Sequence, residues 1–162
     1  MTRKLKLSPD VSYFLGVFAY SGDPAVGITT SSSTEVERFV SIAVKELGVE
    51  PEKVKVEQVE DALHAYFYHS KLKKLLSRAL ERRAVTFKHK NDYAANYLAG
   101  IFDVIGGRNA KGLYMEGLGD QDQLVMENLG FHTLPQGRKL YLVNQGAFAA
   151  FIGAFSCRMG AR

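Results

Sequence analysis

Cysteine is all but absent from this sequence. Cys157 is the single one in 162 residues, which excludes an intramolecular disulfide and a cysteine-rich zinc site. Long apolar runs are missing too: the longest, Gly146 to Cys157, covers 12 residues, against the ~20 that a membrane-spanning helix needs. No apolar stretch with a small-residue cleavage site follows the basic start, so a secretory leader is not expected. His64, His69, His89 and His132 show no metal-ligand spacing, and no glycine-rich phosphate loop with a following Lys-Ser/Thr pair occurs. Hydrophobic residues at 46% and charged residues at 23% make a globular composition, which sets aside disorder, coiled coil and collagen. The expectation is a cytoplasmic protein of single-domain size, off the membrane.

Negative charge is the other scarcity, in one stretch. From Lys71 to Lys90, eight basic residues (Lys71, Lys73, Lys74, Arg78, Arg82, Arg83, Lys88 and Lys90) meet one acid, Glu81, a local charge of +7 in a chain of net +4. Leu72, Leu75, Leu76, Ala79 and Leu80 recur there at helical spacing, predicting a helix from Ser70 with its basic side outward. Such a face suits phosphate, whose contacts give salt-dependent, sequence-independent affinity. A solvated helix face is the plainer alternative. Arg3, Lys4 and Lys6 at the start, and Arg158 and Arg162 at the finish, add basic residues at both ends.

The chain repeats itself. Tyr13-Phe14-Leu15-Gly16-Val17-Phe18 returns 84 residues later as Tyr97-Leu98-Ala99-Gly100-Ile101-Phe102, and Leu47-Gly48 returns 82 residues later as Leu129-Gly130. Both segments are followed by a small-residue break, a strand-like piece and an amphipathic helix, and a shared order at a shared offset indicates duplication. In the first half, the pattern predicts a helix from Pro9 to Tyr20 capped by Ser8 and a strand from Ala25 to Ser31. A helix then opens on a Thr34–Glu37 capping box and closes at Gly48. Hairpin strands Lys53 to Gln58 and Leu63 to His69 follow, then the basic helix. The second half reads as helix Ala94 to Ile105, strand Lys111 to Gly117, helix Asp120 to Leu129, hairpin arm Lys139 to Val143 and helix Gln145 to Cys157, capped by Asn144. The fold class is α+β, with α-β-α-β-β-α halves over residues 1–90 and 91–162 related by a pseudo-twofold axis. An interior helical glycine costs ~1 kcal/mol against alanine. Gly16 and Gly100, with Ala19 and Ala99 beside them, are therefore expected where the first helices of the two halves cross closely.

Phe14-Leu15-Gly16-Val17-Phe18-Ala19-Tyr20-Ser21-Gly22 and Leu98-Ala99-Gly100-Ile101-Phe102-Asp103-Val104-Ile105-Gly106 resemble the LAGLIDADG motif of homing endonucleases, the second copy closely. The likeness covers essentially the whole chain and fits the double-motif, single-chain type. It implies that the motif helices form the interface between halves, that antiparallel sheets form a saddle over DNA, and that an acid at the base of each motif helix binds divalent metal. Those acid positions hold Ser21 and Ile105. Asp103 sits two residues before Ile105, ~200° around the helix axis. Asp23 lies just past the first motif, so Asp23 and Asp103 are fallback ligands only.

The expected function is nucleic-acid binding without catalysis, on structured RNA such as ribosomal RNA in a ribonucleoprotein, or on DNA as a regulator. No cofactor is expected, and the chain should be a monomer. Beside the basic block, the candidate contacts are Thr29, Thr30, Lys53, Lys55, Tyr66 and Tyr68 in the first half, and Arg108, Asn109, Lys111, Arg138 and Lys139 in the second. Spacing leaves room for one strand between each motif helix and the next helix, hence a short saddle. The alternative is an active Mg²⁺-dependent homing endonuclease using Asp23 and Asp103. A third reading is a structural subunit that docks on proteins.

Overall fold

Ser8 Oγ accepts a hydrogen bond from the Val11 amide and Pro9 fills the first helical position, which fixes the start of helix α1 (Pro9–Tyr20). In the computed structural model, residues 5–21 and 25–160 are described. The first half continues with strand β1 (Val26–Thr30), helix α2 (Ser33–Lys45), a 3₁₀ turn (Pro51–Lys53), strands β2 (Lys55–Val59) and β3 (Ala62–Phe67), and helices α3 (Ser70–Glu81) and α4 (Arg83–Thr86). Asn91 then caps α5 (Asp92–Ile105), followed by β4 (Gly106–Asn109), β5 (Gly112–Glu116), α6 (Asp120–Asn128), β6 (Thr133–Gln136), β7 (Lys139–Leu142), α7 (Gln145–Ile152) and α8 (Cys157–Gly160).

The first half has the expected order, whereas the second is α-β-β-α-β-β-α. Strand β4, missing from the sequence-based expectation, leaves α5 directly and pairs with β5, so this half of the saddle carries one strand more than the spacing argument allowed. Gly106 and Gly107 permit it: a Cβ on Gly106 would lie 2.3 Å from the Phe102 ring, and one on Gly107 would lie 2.4 Å from the Tyr114 hydroxyl. Strand β6, which the α-β-α-β-β-α pattern calls for without giving it a range, contains Pro135; it is an edge strand, where a missing amide costs no ladder bond.

Local details also differ. Ser32, rather than Thr34, caps α2 through the Glu35 amide, and Glu35 itself turns into the interior. The predicted final helix breaks at Ile152 and restarts as α8. Asn144 makes no side-chain cap bond; instead its neighbour Gln145 accepts from the Leu113 amide at 3.0 Å. Gly48 (φ +72°) and Gly130 (φ +86°) do end their helices in the left-handed conformation.

The antiparallel sheets are ordered β1-β3-β2 and β4-β5-β7-β6. Their inner faces (Val26, Ile28, Ala65 and Phe67; Leu113, Met115, Leu140 and Leu142) join the helices in one core. The pairing repeats in register: Gly27 faces Tyr66 as Tyr114 faces Tyr141, and Thr29 faces His64 as Glu116 faces Lys139. No helix among the described residues is long and apolar enough to cross a membrane.

Candidate nucleic-acid interface

Helices α1 and α5 pack together more closely than any other pair of elements among the described residues. A Cβ on Gly16 would sit 2.2 Å from the Tyr97 carbonyl oxygen, and one on Gly100 would sit 2.1 Å from that of Tyr13. Any side chain at either place would force the backbones apart. Ala99 is buried beside this contact, and Ala19 is half-buried one turn further along α1. The two motif segments thus form the seam between the halves.

The C-terminal ends of these helices carry unusual chemistry. Ser21 is half-buried and donates to the Phe18 carbonyl at 3.2 Å; the Ile105 side chain offers no ligand atom. Asp23 lies outside the described residues. Asp103 is fully buried, and both of its oxygens are occupied. They accept from Tyr13 Oη at 2.5 Å, Ser156 Oγ at 2.6 Å, and the Cys157 and Arg158 amides at 2.9 and 3.2 Å. Asp103 therefore caps the short helix α8 and is no replacement for the missing acid. Burial, with the Asp103 charge alongside, holds the Tyr13 hydroxyl far above its ordinary pKa, so it remains a proton donor.

At the end of α5, Arg158 donates to the Gly106 carbonyl at 2.5 Å and to Phe102 O at 3.5 Å, and its Nε donates to Glu35 at 3.3 Å. A guanidinium thus complements the negative end of that helix. Hard divalent cations need carboxylate oxygens; the described residues here supply a serine, an isoleucine and a cation, and no group of three or more His, Cys, Asp or Glu among them could hold a metal ion. The described residues at this site do not fit a divalent metal.

Pseudo-equivalent chemistry joins the halves elsewhere. Asp122, third in α6, is fully buried and accepts from Tyr20 Oη (2.5 Å), Tyr97 Oη (2.6 Å) and Arg83 (2.6 Å). Glu35, third in α2, is the matching acid. It accepts from Thr30 Oγ1 at 2.8 Å and from Arg158. Sequence reasoning missed Glu35 and Asp122; the available signal was an acid recurring at one place in both repeats. Thr30 and Arg83, expected at a nucleic-acid surface, are instead committed inside.

The outward faces of the sheets carry Thr29, His64, Tyr66, Lys55 and Glu57 in the first half, and Tyr114, Glu116, Tyr141, Lys139, Leu134 and Gln136 in the second, by strand alternation. Tyr68 continues the first row and is 71% exposed. Arg108 is displaced from this set: it pairs with buried Leu113, so it lies on the helix side of the sheet at an exposed edge. Lys53 is paired with Glu50 at 3.8 Å. Lys111 donates to Gln136, Lys139 sits 4.7 Å from the Tyr114 ring centroid, and Arg138 is exposed in the β6–β7 turn. The Glu57 carboxylate accepts from Tyr66 and thereby raises the pKa of its hydroxyl.

Helix α3 buries Leu72, Leu76 and Leu80 and exposes Lys71, Lys74, Arg78 and Arg82. His69 caps it, accepting from the Leu72 amide. A shallow open groove along it is lined by Ser70, Lys73, Lys74, Ser77 and Arg78. Lys88 is exposed in the connector, and exposed Lys90 lies 5.0 Å from the Phe131 ring centroid. Helix α3 and the first sheet bury their apolar sides in the same core.

No protein-family model matches the sequence, and neither does any curated protein. Solved structures do match. A structure of homing endonuclease I-DmoI in complex with DNA and Ca superposes with a TM-score of 0.72 at 16% identity, over 94% of this chain and 96% of that one. The complex with DNA and Mn gives 0.68 at 17% identity, over 89% and 96%. Mesophilic variants of I-DmoI give 0.69 at 16%, over 90% and 96%. Glycine seam, duplicated order, twin antiparallel sheets and end-to-end superposition agree, and the chain has the fold of the double-motif, single-chain LAGLIDADG homing endonucleases.

Proposed function

We propose that this protein binds nucleic acid without cutting it, holding the phosphate backbone through the exposed Lys71, Lys74, Arg78, Arg82, Lys88 and Lys90. The observation that carries the reading is the condition of Asp103: this acid, two residues before Ile105 on the second motif helix, is buried and saturated by four donors. A divalent ion would supply water activation and stabilise the leaving oxygen, but Ser21 and Ile105 give it no anchor. Two of these I-DmoI structures are complexes with DNA, which supports a nucleic-acid ligand here. RNA, free or in a ribonucleoprotein, offers the basic face the same phosphates.

Filter binding at two salt concentrations tests the reading. Affinity should fall steeply with salt, and replacing Lys74, Arg78 and Arg82 by alanine should lower the log–log slope by roughly 2–3. Absence of binding to RNA and DNA at low salt, or affinity indifferent to salt, overturns it. Incubation of a randomised plasmid library with Mg²⁺ or Mn²⁺ should leave the DNA intact. A specific double-strand break that is lost in Asp23→Asn would establish the endonuclease instead.

A further inference from the structure

We propose that the outward faces of the two sheets hold unpaired nucleobases, stacked on Tyr66, Tyr68 and Tyr141. The proposal rests on the nucleic-acid reading above and names the form of the ligand. Groups that read a duplex groove are arginine and lysine on guanine, and asparagine and glutamine on adenine. On these faces three such groups are already engaged, Lys55 not among them: Gln136 accepts from Lys111 at 2.7 Å, Asn109 donates to Tyr141 Oη at 2.9 Å, and Lys139 lies over the Tyr114 ring. Lys55 and Lys139 are balanced by Glu57 and Glu116, which the phosphate rows of a duplex would have to pass. Rings are what remains.

The rings form a built pattern. His64 and Tyr66 stack with centroids 4.6 Å apart, Tyr68 meets Tyr66 edge-on at 5.9 Å, and Tyr114 and Tyr141 lie 5.7 Å apart. Tyr66 and Tyr141 occupy the same register position in the two sheets, so each half offers an aromatic at the same place. Aromatic platforms beside scattered lysines are the surface on which single strands bind, because every base has a face to stack and no groove is needed.

Fluorescence anisotropy with labelled strands of about 16 nucleotides, RNA and DNA, alongside the matching duplex at one ionic strength, decides it. Single strands should bind at least about tenfold tighter than duplex. Tyr66→Ala with Tyr141→Ala should weaken single-strand binding about five- to a hundredfold, with an unchanged salt slope, while the double Tyr→Phe variant stays within about twofold of wild type. Preference for RNA or equal affinity for both strands supports the proposal, the former bringing in the 2′-hydroxyl. Duplex bound as tightly as single strand, or an alanine variant that binds like wild type, overturns it. If those results come with a salt slope that still depends on Lys74, Arg78 and Arg82, the nucleic-acid reading stands and only the stacking falls. If no strand binds at low salt, both fall.

Discussion

Glu35 and Asp122 occupy matching places in the two halves, and each meets an arginine that reaches across from the other half. Their surroundings differ. Asp122 has no exposed surface and takes three donors, two tyrosine hydroxyls and Arg83 at 2.6 Å. Glu35 takes one threonine hydroxyl and Arg158 at 3.3 Å, and the Arg158 side chain is 31% exposed. Burial raises the pKa of Glu35 in spite of both partners. Duplication thus supplied two copies of one acid–arginine clasp, of which one is saturated and the other is not. The lesson is that a buried charge binds the halves only to the extent that its donors are complete.

The sharpest way to break the comparison is Asp122→Ala. It strips one buried and two half-buried donors of their acceptor, including a guanidinium, and should cost about 3–5 kcal/mol. Urea unfolding measures it. A loss no greater than that of Glu35→Ala would show that donor number does not set the strength of the clasp. Next comes the seam that both clasps bridge. Gly16→Ala places a Cβ against the Tyr97 carbonyl, and the overpacking, set against a small gain in helix propensity, should cost about 2–3 kcal/mol. A melting temperature equal to wild type would mean that the helices can separate freely.

The seam was legible because glycine inside a helix is a conspicuous choice, and it appears twice, at Gly16 and Gly100, in matching hydrophobic frames. The first half was legible for a related reason: alternation at His64–Phe67 and the leucine spacing of α3 are periodic in ordinary side chains. Strands β4 and β6 were not, since Gly106 and Gly107 have no side chains to alternate and Pro135 argues against a strand unless its edge position is known. Burial hid the clasps. Nothing local tells Arg83, which is committed to Asp122, from Arg82, which faces solvent. The cap that Asp103 forms was hidden for the same reason, because the donors that saturate it come from Tyr13 and from Ser156 to Arg158, far away in the chain.

Arg158→Ala sharpens the comparison from the weaker side. It removes the charge facing Glu35 and the donor at the Gly106 carbonyl, but water already reaches the arginine. The expected loss is about 1–2 kcal/mol, below that of Arg83→Ala. Chemical denaturation of the two variants under one condition gives the ranking, and the reverse order would remove the distinction between the clasps.

The smallest effect concerns pH. An acid whose pKa is raised on folding holds its proton more tightly in the native state than in the unfolded chain. Between its ordinary value of 4.5 and the raised one, the native state therefore carries more protons, and stability falls as pH rises through that window. Glutamine at position 35 can still accept from Thr30 and does not titrate. Stability relative to Glu35→Gln should accordingly be most favourable to the wild type below pH 4.5 and should decline towards neutrality. A difference that is flat with pH, or one that grows as pH rises, would mean that Arg158 fully offsets the burial of Glu35, and that the two clasps are equivalent after all.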